Sequence, residues 1–302
     1  AGELARGATL YVTLEPCSHL GRTPPCAPAV AEAGIVEVFA AMEDPNRLVS
    51  GAGLRLLGER GVQVHVGLLE DEARRLNEAF IKHVGTGLPF VEIKVAMTLD
   101  GKIATASGRS RWISGEAARQ WVQERRDRAG AVLVGANTVR LDNPQLTVRL
   151  ADHDGRQPLR CVVTASGNLP ADAMLVTDGA AETVVFHPTG GPLRGEWQQR
   201  TVDLPAGNAG VDLRAALSWL AARGIIDVLV EGGGTLNAVL LRAGLVDRVS
   251  VFVAPKLFGG AAPGGFGELG VTDPAEAFQL EGLQVQQIGQ DWLFRGRPAR
   301  AG

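Results

Sequence analysis

The sequence predicts an α/β protein of two domains, and three observations carry that prediction. Short β-rich runs alternate with helical stretches, the pattern of a parallel sheet covered by helices. At 302 residues the chain is twice the length of an average domain of about 150 residues. Gly85-Thr86-Gly87-Leu88-Pro89 interrupts the alternation as a linker and sets the expected domains at 1–86 and 87–302.

Each element follows from local chemistry. Residues 10–14 (Leu-Tyr-Val-Thr-Leu) form a β-rich run that ends at Glu15-Pro16-Cys17. A polar loop with Gly and Pro, 18–25, leads to a helix over 26–33, with Pro25 near its first turn and Gly34 as its stop. A second strand is expected over 36–42, a turn at Asp44-Pro45-Asn46, a helix over 54–60 stopped by Gly61, a third strand over 62–66 and an amphipathic helix over 70–84. Beyond the linker, strands are expected near 90–97, 131–134, 159–163, 183–186, 228–230 and 248–254. The clearest helix covers 115–129 with Ser114 as N-cap; Ala118, Trp121, Val122 and Arg125 share one face of it. Another covers 236–243 and stops at Gly244, and 259–270 reads as a Gly-rich loop.

Composition narrows the function. A formal charge of −3 gives no electrostatic case for nucleic acid or an anionic membrane, so any phosphate recognition must be local. Lysine is confined to Lys82, Lys94, Lys102 and Lys256; the excess of arginine favours fork-shaped phosphate contacts. Three cysteines, Cys17, Cys26 and Cys161, do not suggest a disulfide scaffold. No apolar run approaches the ~20 residues of a membrane span and no signal-peptide profile is present, so a cytoplasmic location is expected. The chain opens Ala-Gly-Glu-Leu-Ala-Arg-Gly without Met and reaches its first strand almost at once, which reads as a start inside an element with upstream sequence missing.

Cys17 and Cys26 each sit where a helix could begin, and a helix N-terminus favours the thiolate that binds zinc. On spacing alone, two buried free cysteines are the plainer reading. The local wording changes this. Glu15-Pro16-Cys17-Ser18-His19-Leu20-Gly21-Arg22-Thr23-Pro24-Pro25-Cys26 closely resembles the second zinc motif of the riboflavin-pathway deaminases, whose Gly-Arg-Thr-Pro-Pro loop is longer than the Pro-Cys-x-x-Cys of ordinary cytidine deaminases. The resemblance continues through Asp44-Pro45-Asn46, Gly51-x-Gly53 and Asn77-x-x-Phe80. It implies a partial cytidine-deaminase-like α/β domain in which Cys17 and Cys26 are two of three protein ligands to Zn2+. The family's His-x-Glu, which completes the metal site and supplies the acid/base Glu, does not occur before Cys17. The family gives His19 no ligand role. Zinc is therefore implied only as an incomplete site, and deamination is not expected of this chain.

Three segments beyond the linker carry the second half of the argument. Lys94 and Asp100 stand in the otherwise apolar strand-and-turn Lys94-Val95-Ala96-Met97-Thr98-Leu99-Asp100-Gly101-Lys102, where charges need partners or a task; a rim-exposed ion pair is the alternative. Ser107-Gly108-Arg109-Ser110-Arg111-Trp112-Ile113-Ser114 precedes a helix and offers donors for an anion and a flat face for a ring, although Trp112 could equally be core. Val230-Glu231-Gly232-Gly233-Gly234-Thr235 is a strand running through three glycines into a helix; it suits a phosphate or is a tight turn. It is not the Gly-x-Gly-x-x-Gly fingerprint.

Together these segments resemble the reductase domain of the same bifunctional riboflavin-biosynthesis family, whose fold is similar to dihydrofolate reductase. The stretches 132–139 and 142–149 and Ala254-Pro255-Lys256 match as well. The resemblance implies a dihydrofolate-reductase-like α/β domain that uses NADPH to reduce the ribosyl group of a pyrimidine ribosyl phosphate. It implies cofactor contacts at Ala96, Trp112, Thr138, Asp142, Gly233, Gly234, Thr235, Leu236, Asn237, Ala238 and Val239. It implies substrate contacts at Ser110, Arg126, Leu146, Arg149 and Glu231, with the arginines at the phosphate. Lys94, Asp100 and Glu231 are the implied catalytic candidates. Thr164-Ala165 departs from the family's Asp-Ser, which leaves one cofactor contact open, with Ser166 as a substitute. A homo-oligomer, dimer or tetramer, is implied, with no nucleic-acid or membrane partner. The alternatives are a related reductase of another pterin or pyrimidine and a non-catalytic nucleotide-binding module.

Overall fold

The computed structural model describes every residue except 1, 22, 47, 48, 152–154, 191, 192, 194, 301 and 302. Arg22 of the Gly-Arg-Thr-Pro-Pro loop therefore lies outside the described residues. The chain divides into two compact units, Ala1–Leu88 and Pro89–Gly302. Among the described residues no helix is long and apolar enough to cross a membrane.

The first unit is built on a parallel three-stranded sheet, β1 (Thr9–Val12), β2 (Glu37–Ala40) and β3 (Gln63–Val66), in that order. Helices α1 (Cys26–Glu32) and α2 (Ala52–Glu59) bury Ala27 and Leu57 with Val38 and Val62. Gly34 and Gly61 end the two helical segments with φ of 76° and 81°, a backbone only glycine adopts without strain. The single helix expected over 70–84 is instead two, α3 (Glu70–Leu76) and α4 (Glu78–Thr86). Asn77 makes the break: its Nδ2 donates to Ala73 O at 2.9 Å, a local bond that competes with helix continuation. Glu15 joins the loops. Its carboxylate, 3 % exposed, accepts from the backbone N–H groups of Asp44 (3.1 Å), Gly51 (2.8 Å) and Gly53 (2.8 Å). A Cβ at Gly53 would stand 1.8 Å from Pro16 O, so only glycine lets α2 begin against this loop.

The second unit holds a nine-stranded sheet in the order β11-β12-β10-β4-β9-β5-β6-β7-β8. The strands are β4 (Phe90–Thr98), β5 (Ala131–Gly135), β6 (Leu159–Val163), β7 (Thr183–Pro188), β8 (Thr201–Leu204), β9 (Asp227–Val230), β10 (Arg248–Ala254), β11 (Phe278–Ile288) and β12 (Asp291–Arg300). All neighbours from β10 to β8 pair in parallel, and β11–β12 is an antiparallel hairpin. The parallel strands are near-continuously buried, as expected when both faces are covered. Among the described residues the unit's α-helices are α5 (Glu116–Arg128), α6 (Ala136–Asp142), α7 (Met174–Thr177), α8 (Leu213–Ala221) and α9 (Gly234–Arg242). One core cluster gathers Val132, Val134, Val162, Val185, Leu175 and Trp197; another sets Ala118 of α5 on Phe252 and Leu293.

The connection β4–α5–β5 steps over one position, and β9 returns to fill it; β9–α9–β10 then runs the other way across β4. The direction of winding reverses at β4, β9 and β5, and the carboxyl ends of strands at such a reversal leave a crevice suited to a ligand. Helix α5 begins one residue later than expected, with Gly115 rather than Ser114 at its N-cap. No side chain of its own caps it; Gly115 N–H donates to Asp291 Oδ2 at 2.7 Å, at the start of β12.

Candidate functional site

A groove of about 780 Å³ opens at this reversal. Strand β4 contributes Lys94 and Ala96, the loop before α5 contributes Ser110 and Trp112, and α5 contributes Arg126. Helix α6 adds Thr138 and Asp142, the following segment adds Leu146 and Arg149, and the end of β9 adds Glu231, Gly232 and Gly233. Sequence reasoning had placed all of these at the site, apart from Gly232, which it had read only as part of the turn. Trp112 is not core: 63 % exposed, it lines the groove with the Arg119 guanidinium 4.8 Å from its ring centre. Arg119 also lines the groove, and no motif in the sequence marks it.

The charged centre of the groove is an ion pair. Arg126 Nε and Nη2 donate to Glu231 Oε1 and Oε2 at 2.5 and 2.9 Å, and its Nη1 donates to Thr147 O at 3.0 Å. Arg126, expected at the substrate phosphate, is paired with Glu231 in this structure. Its fork is closed on Glu231, whereas Arg149 is exposed at the rim. Arg149 is steered by Gln145 Oε1 (3.3 Å) and Thr147 Oγ1 (3.1 Å). Burial pushes the Glu231 carboxyl up, but Arg126, Lys94 and Arg149 outweigh it and hold the group below the usual glutamate range. Burial draws the Lys94 ammonium below the ordinary lysine range; Arg126 adds to that and Glu231 opposes it. Ser110 Oγ donates to Asp142 Oδ1 at 2.6 Å, and Arg111 donates to Asp142 O, which ties the Trp112 loop to the end of α6. Leu146 is buried at φ 55°, a left-handed backbone that costs a side-chain-bearing residue about 1 kcal/mol or more. Arg160 beneath it donates to Gln145 O at 3.1 Å and to Asp178 at 2.8 Å.

Other expected residues are placed elsewhere. Asp100 is not in the groove: its carboxylate accepts from Thr98 Oγ1 (2.5 Å), Phe258 N (3.2 Å) and Gly259 N (2.6 Å), bonds that lower its pKa to about 2. Leu236, Asn237, Ala238 and Val239 are buried along α9 and do not line the groove; neither do Gly234 and the exposed Thr235 at its start. The helix is buried on all sides after its first residues, with Asn237 Nδ2 donating to Gly265 O at 3.0 Å. In the open 164–168 turn, Thr164 Oγ1 accepts from Gly167 N (3.1 Å) and Ser166 Oγ from Asn168 N (3.4 Å), so both hydroxyls serve the turn.

The first unit gathers less. Cys26 opens α1, but Cys17 lies in the preceding loop, where its Sγ accepts from Cys26 N at 3.5 Å. Burial and the adjacent Cys17 push the Cys26 thiol up, opposite to the thiolate expected at a helix start. Among the described residues no three His, Cys, Asp or Glu side chains cluster as a metal site would need. Two thiols do not fit zinc by themselves, and no chemistry is assigned to them through a metal.

The family model for the RibD C-terminal domain matches residues 89–294, which contain the entire groove. The chain belongs to the RibD family. It is 43 % identical over 295 residues to the riboflavin biosynthesis protein RibD of Bacillus amyloliquefaciens, covering 96 % of this chain and 79 % of that protein. Among solved structures it is similar to Acinetobacter baumannii RibD in one crystal form, with a TM-score of 0.86, 39 % identity and coverage of 99 % of this chain and 83 % of the other. It is also similar to a Thermotoga maritima diaminohydroxyphosphoribosylaminopyrimidine deaminase/5-amino-6-(5-phosphoribosylamino)uracil reductase, with a TM-score of 0.83, 36 % identity and coverage of 97 % and 80 %. In RibD terms, the matched domain is the unit in which Lys94, Arg126, Arg149 and Glu231 meet.

Proposed function

We propose that this RibD chain is an oxidoreductase of riboflavin biosynthesis that reduces the ribosyl group of 5-amino-6-(5-phosphoribosylamino)uracil to a ribityl chain with NADPH. The convergence of Trp112, the Gly232-Gly233 turn, Lys94, Glu231 and Arg149 on one groove carries this reading. The groove fits a dinucleotide in two respects. Helix α9 has no side-chain N-cap, and its N-cap residue Gly233 lines the groove, so the positive end of the helix lies next to it. Nothing lies within 4 Å of where a Cβ of Gly233 would stand, so the turn leaves bare backbone facing the groove.

When bound, NADPH supplies the hydride taken up at C1′ of the sugar. The chain orients and protonates. Ala96, Trp112, Thr138, Asp142 and the turn at Gly233 hold the cofactor, with Trp112 offering its exposed face. Arg149 takes the substrate phosphate, while Arg126 fixes the Glu231 carboxylate toward the sugar hydroxyls. Opening the ribose needs a proton at its ring oxygen, and the Lys94 ammonium, with its lowered pKa, holds one there. The first unit is read as cytidine-deaminase-like, with Cys17 and Cys26 at the corresponding positions.

The decisive experiment is NADPH oxidation by the purified chain, with and without 5-amino-6-(5-phosphoribosylamino)uracil. Oxidation that depends on this substrate is the expected result. Turnover only with another pterin or pyrimidine would transfer the assignment to a related reductase, and tight NADPH binding without turnover on any of them would reduce it to a nucleotide-binding module.

A further inference from the structure

Trp112 stands at the groove without a core to hold it. Its side chain is largely exposed and its ring neighbours are the guanidinium groups of Arg119 and Arg111. Its backbone is held from outside the loop. Lys256 Nζ donates to Trp112 O at 2.8 Å and to Ile113 O at 2.7 Å. Lys256 is fixed in turn: its own carbonyl accepts from Leu99 N at 2.9 Å, and the next turn donates Phe258 N and Gly259 N to the Asp100 carboxylate. A strap therefore runs from the end of β4, through Asp100 and residues 256–259, to the two carbonyls behind Trp112.

We propose that Lys256 is a positioning residue, seated by Asp100, that holds the Trp112 ring as a wall of the cofactor groove. The inference rests on the reading of the groove as an NADPH site and assigns Lys256 and Asp100 a place in it. An ammonium can donate to both carbonyls at once. A guanidinium fork can do the same, but a methionine of similar length cannot. The strap also gives Asp100 a task that accounts for a charge in an apolar turn.

The test uses the full chain with Lys256→Met, Lys256→Arg, Trp112→Ala and the Met/Ala double variant. NADPH affinity is measured by fluorescence titration, and backbone order over 108–115 by hydrogen exchange without ligand. Lys256→Met is expected to weaken NADPH about tenfold, the scale of one charge-assisted hydrogen bond, and to speed exchange over 108–115. With saturating NADPH, kcat stays within about twofold of wild type, and Lys256→Arg restores both affinity and protection. In the Trp112→Ala background Lys256→Met should change NADPH affinity by less than about twofold, because the wall it positions is already gone. An unchanged affinity in Lys256→Met, an equal loss in the Trp112→Ala background, or an arginine no better than methionine would overturn the proposal. If Lys256→Met fails to fold, Lys256→Gln, which is shorter and carries no charge, is judged by the same comparisons. If the wild-type chain binds no NADPH, the reductase reading fails, and the exchange contrast between Met and Arg at 256 still decides whether the strap exists.

Discussion

Replacing Arg126 by Met isolates the ion pair at the centre of the groove. The pair is bidentate, and both side chains are about nine-tenths buried (10 % and 11 % exposed), so solvent screening does not discount it. Removing one partner of a buried pair leaves the other charge uncompensated and costs about 3–5 kcal/mol. Lys94 and Arg149 remain in the field of Glu231, which places this case at about 3 kcal/mol. For a unit of this size that corresponds to a Tm about 6–12 °C lower. The assay is unfolding followed by tryptophan fluorescence, because Trp112, Trp121, Trp197, Trp219 and Trp292 all lie in the second unit. The pH dependence has a defined sign. In the wild type the Glu231 pKa is lowered on folding, so its stabilisation is present above the unfolded pKa and is lost as pH falls through the folded one. Without Arg126, burial raises that pKa instead, so the penalty is full at neutral pH and disappears on acidification. Adding Glu231→Gln should then recover much of the loss. A cost below about 1 kcal/mol, or the same Glu231→Gln effect with and without Arg126, would refute the account.

Glu231→Gln alone should lower single-turnover hydride transfer more than NADPH affinity; the reverse outcome would remove Glu231 from the substrate side. Lys94→Met should cut kcat by about a hundredfold or more and abolish a basic limb in the pH–rate profile. That limb arises because the proton on Lys94 is lost as pH rises through a pKa held below the ordinary lysine range, first by burial and further by Arg126. Gly233→Ala and Gly234→Ala should separate binding from folding. A Cβ at Gly233 meets open space, so stability stays within about 0.5 kcal/mol while NADPH affinity falls. At Gly234 it would stand 2.8 Å from Gly264 O and 3.0 Å from Gly267 N, so thermal unfolding should shift downward.

Residues with strong local chemistry were legible in the sequence. β6 and β10 fall on the expected residues because short Val-rich, largely apolar runs fit a sheet buried on both faces. Lys94 is legible as a charge out of keeping with its apolar strand, Trp112 as a flat face in a polar loop, and Glu231 only through the family resemblance. The hairpin β11–β12 is less legible: apolar and polar residues alternate over 278–281 and again over 283–286, but Gly282 breaks the phase at the register shift and most of the strand is exposed, so it is held by its pairing with β12, which in turn pairs with β10. The partners of Arg126 and Asp100 were equally hidden. Each is fixed by a residue more than a hundred positions away, at Glu231 and at Phe258–Gly259, and only the fold brings them together. The cap of α5 is hidden for the same reason, since the Asp291 carboxylate that accepts from Gly115 N–H comes from the far end of the chain.

Adjacent arginines on α5 grip both ends of one short strand. Arg125 holds Asp227 at the start of β9 at 2.6 Å, along with Glu92 of β4, and Arg126 holds Glu231 just past its end. The two acids are four residues apart and so lie on the same side of the strand. A slip of β9 by one position would turn both away and offer Val228 and Gly232, or Ile226 and Val230, to two buried guanidinium groups. In a parallel sheet whose hydrophobic strands are greasy on both faces, apolar pattern alone cannot forbid that slip. Here charge supplies the alignment, and the same alignment fixes how far Glu231 reaches into the groove.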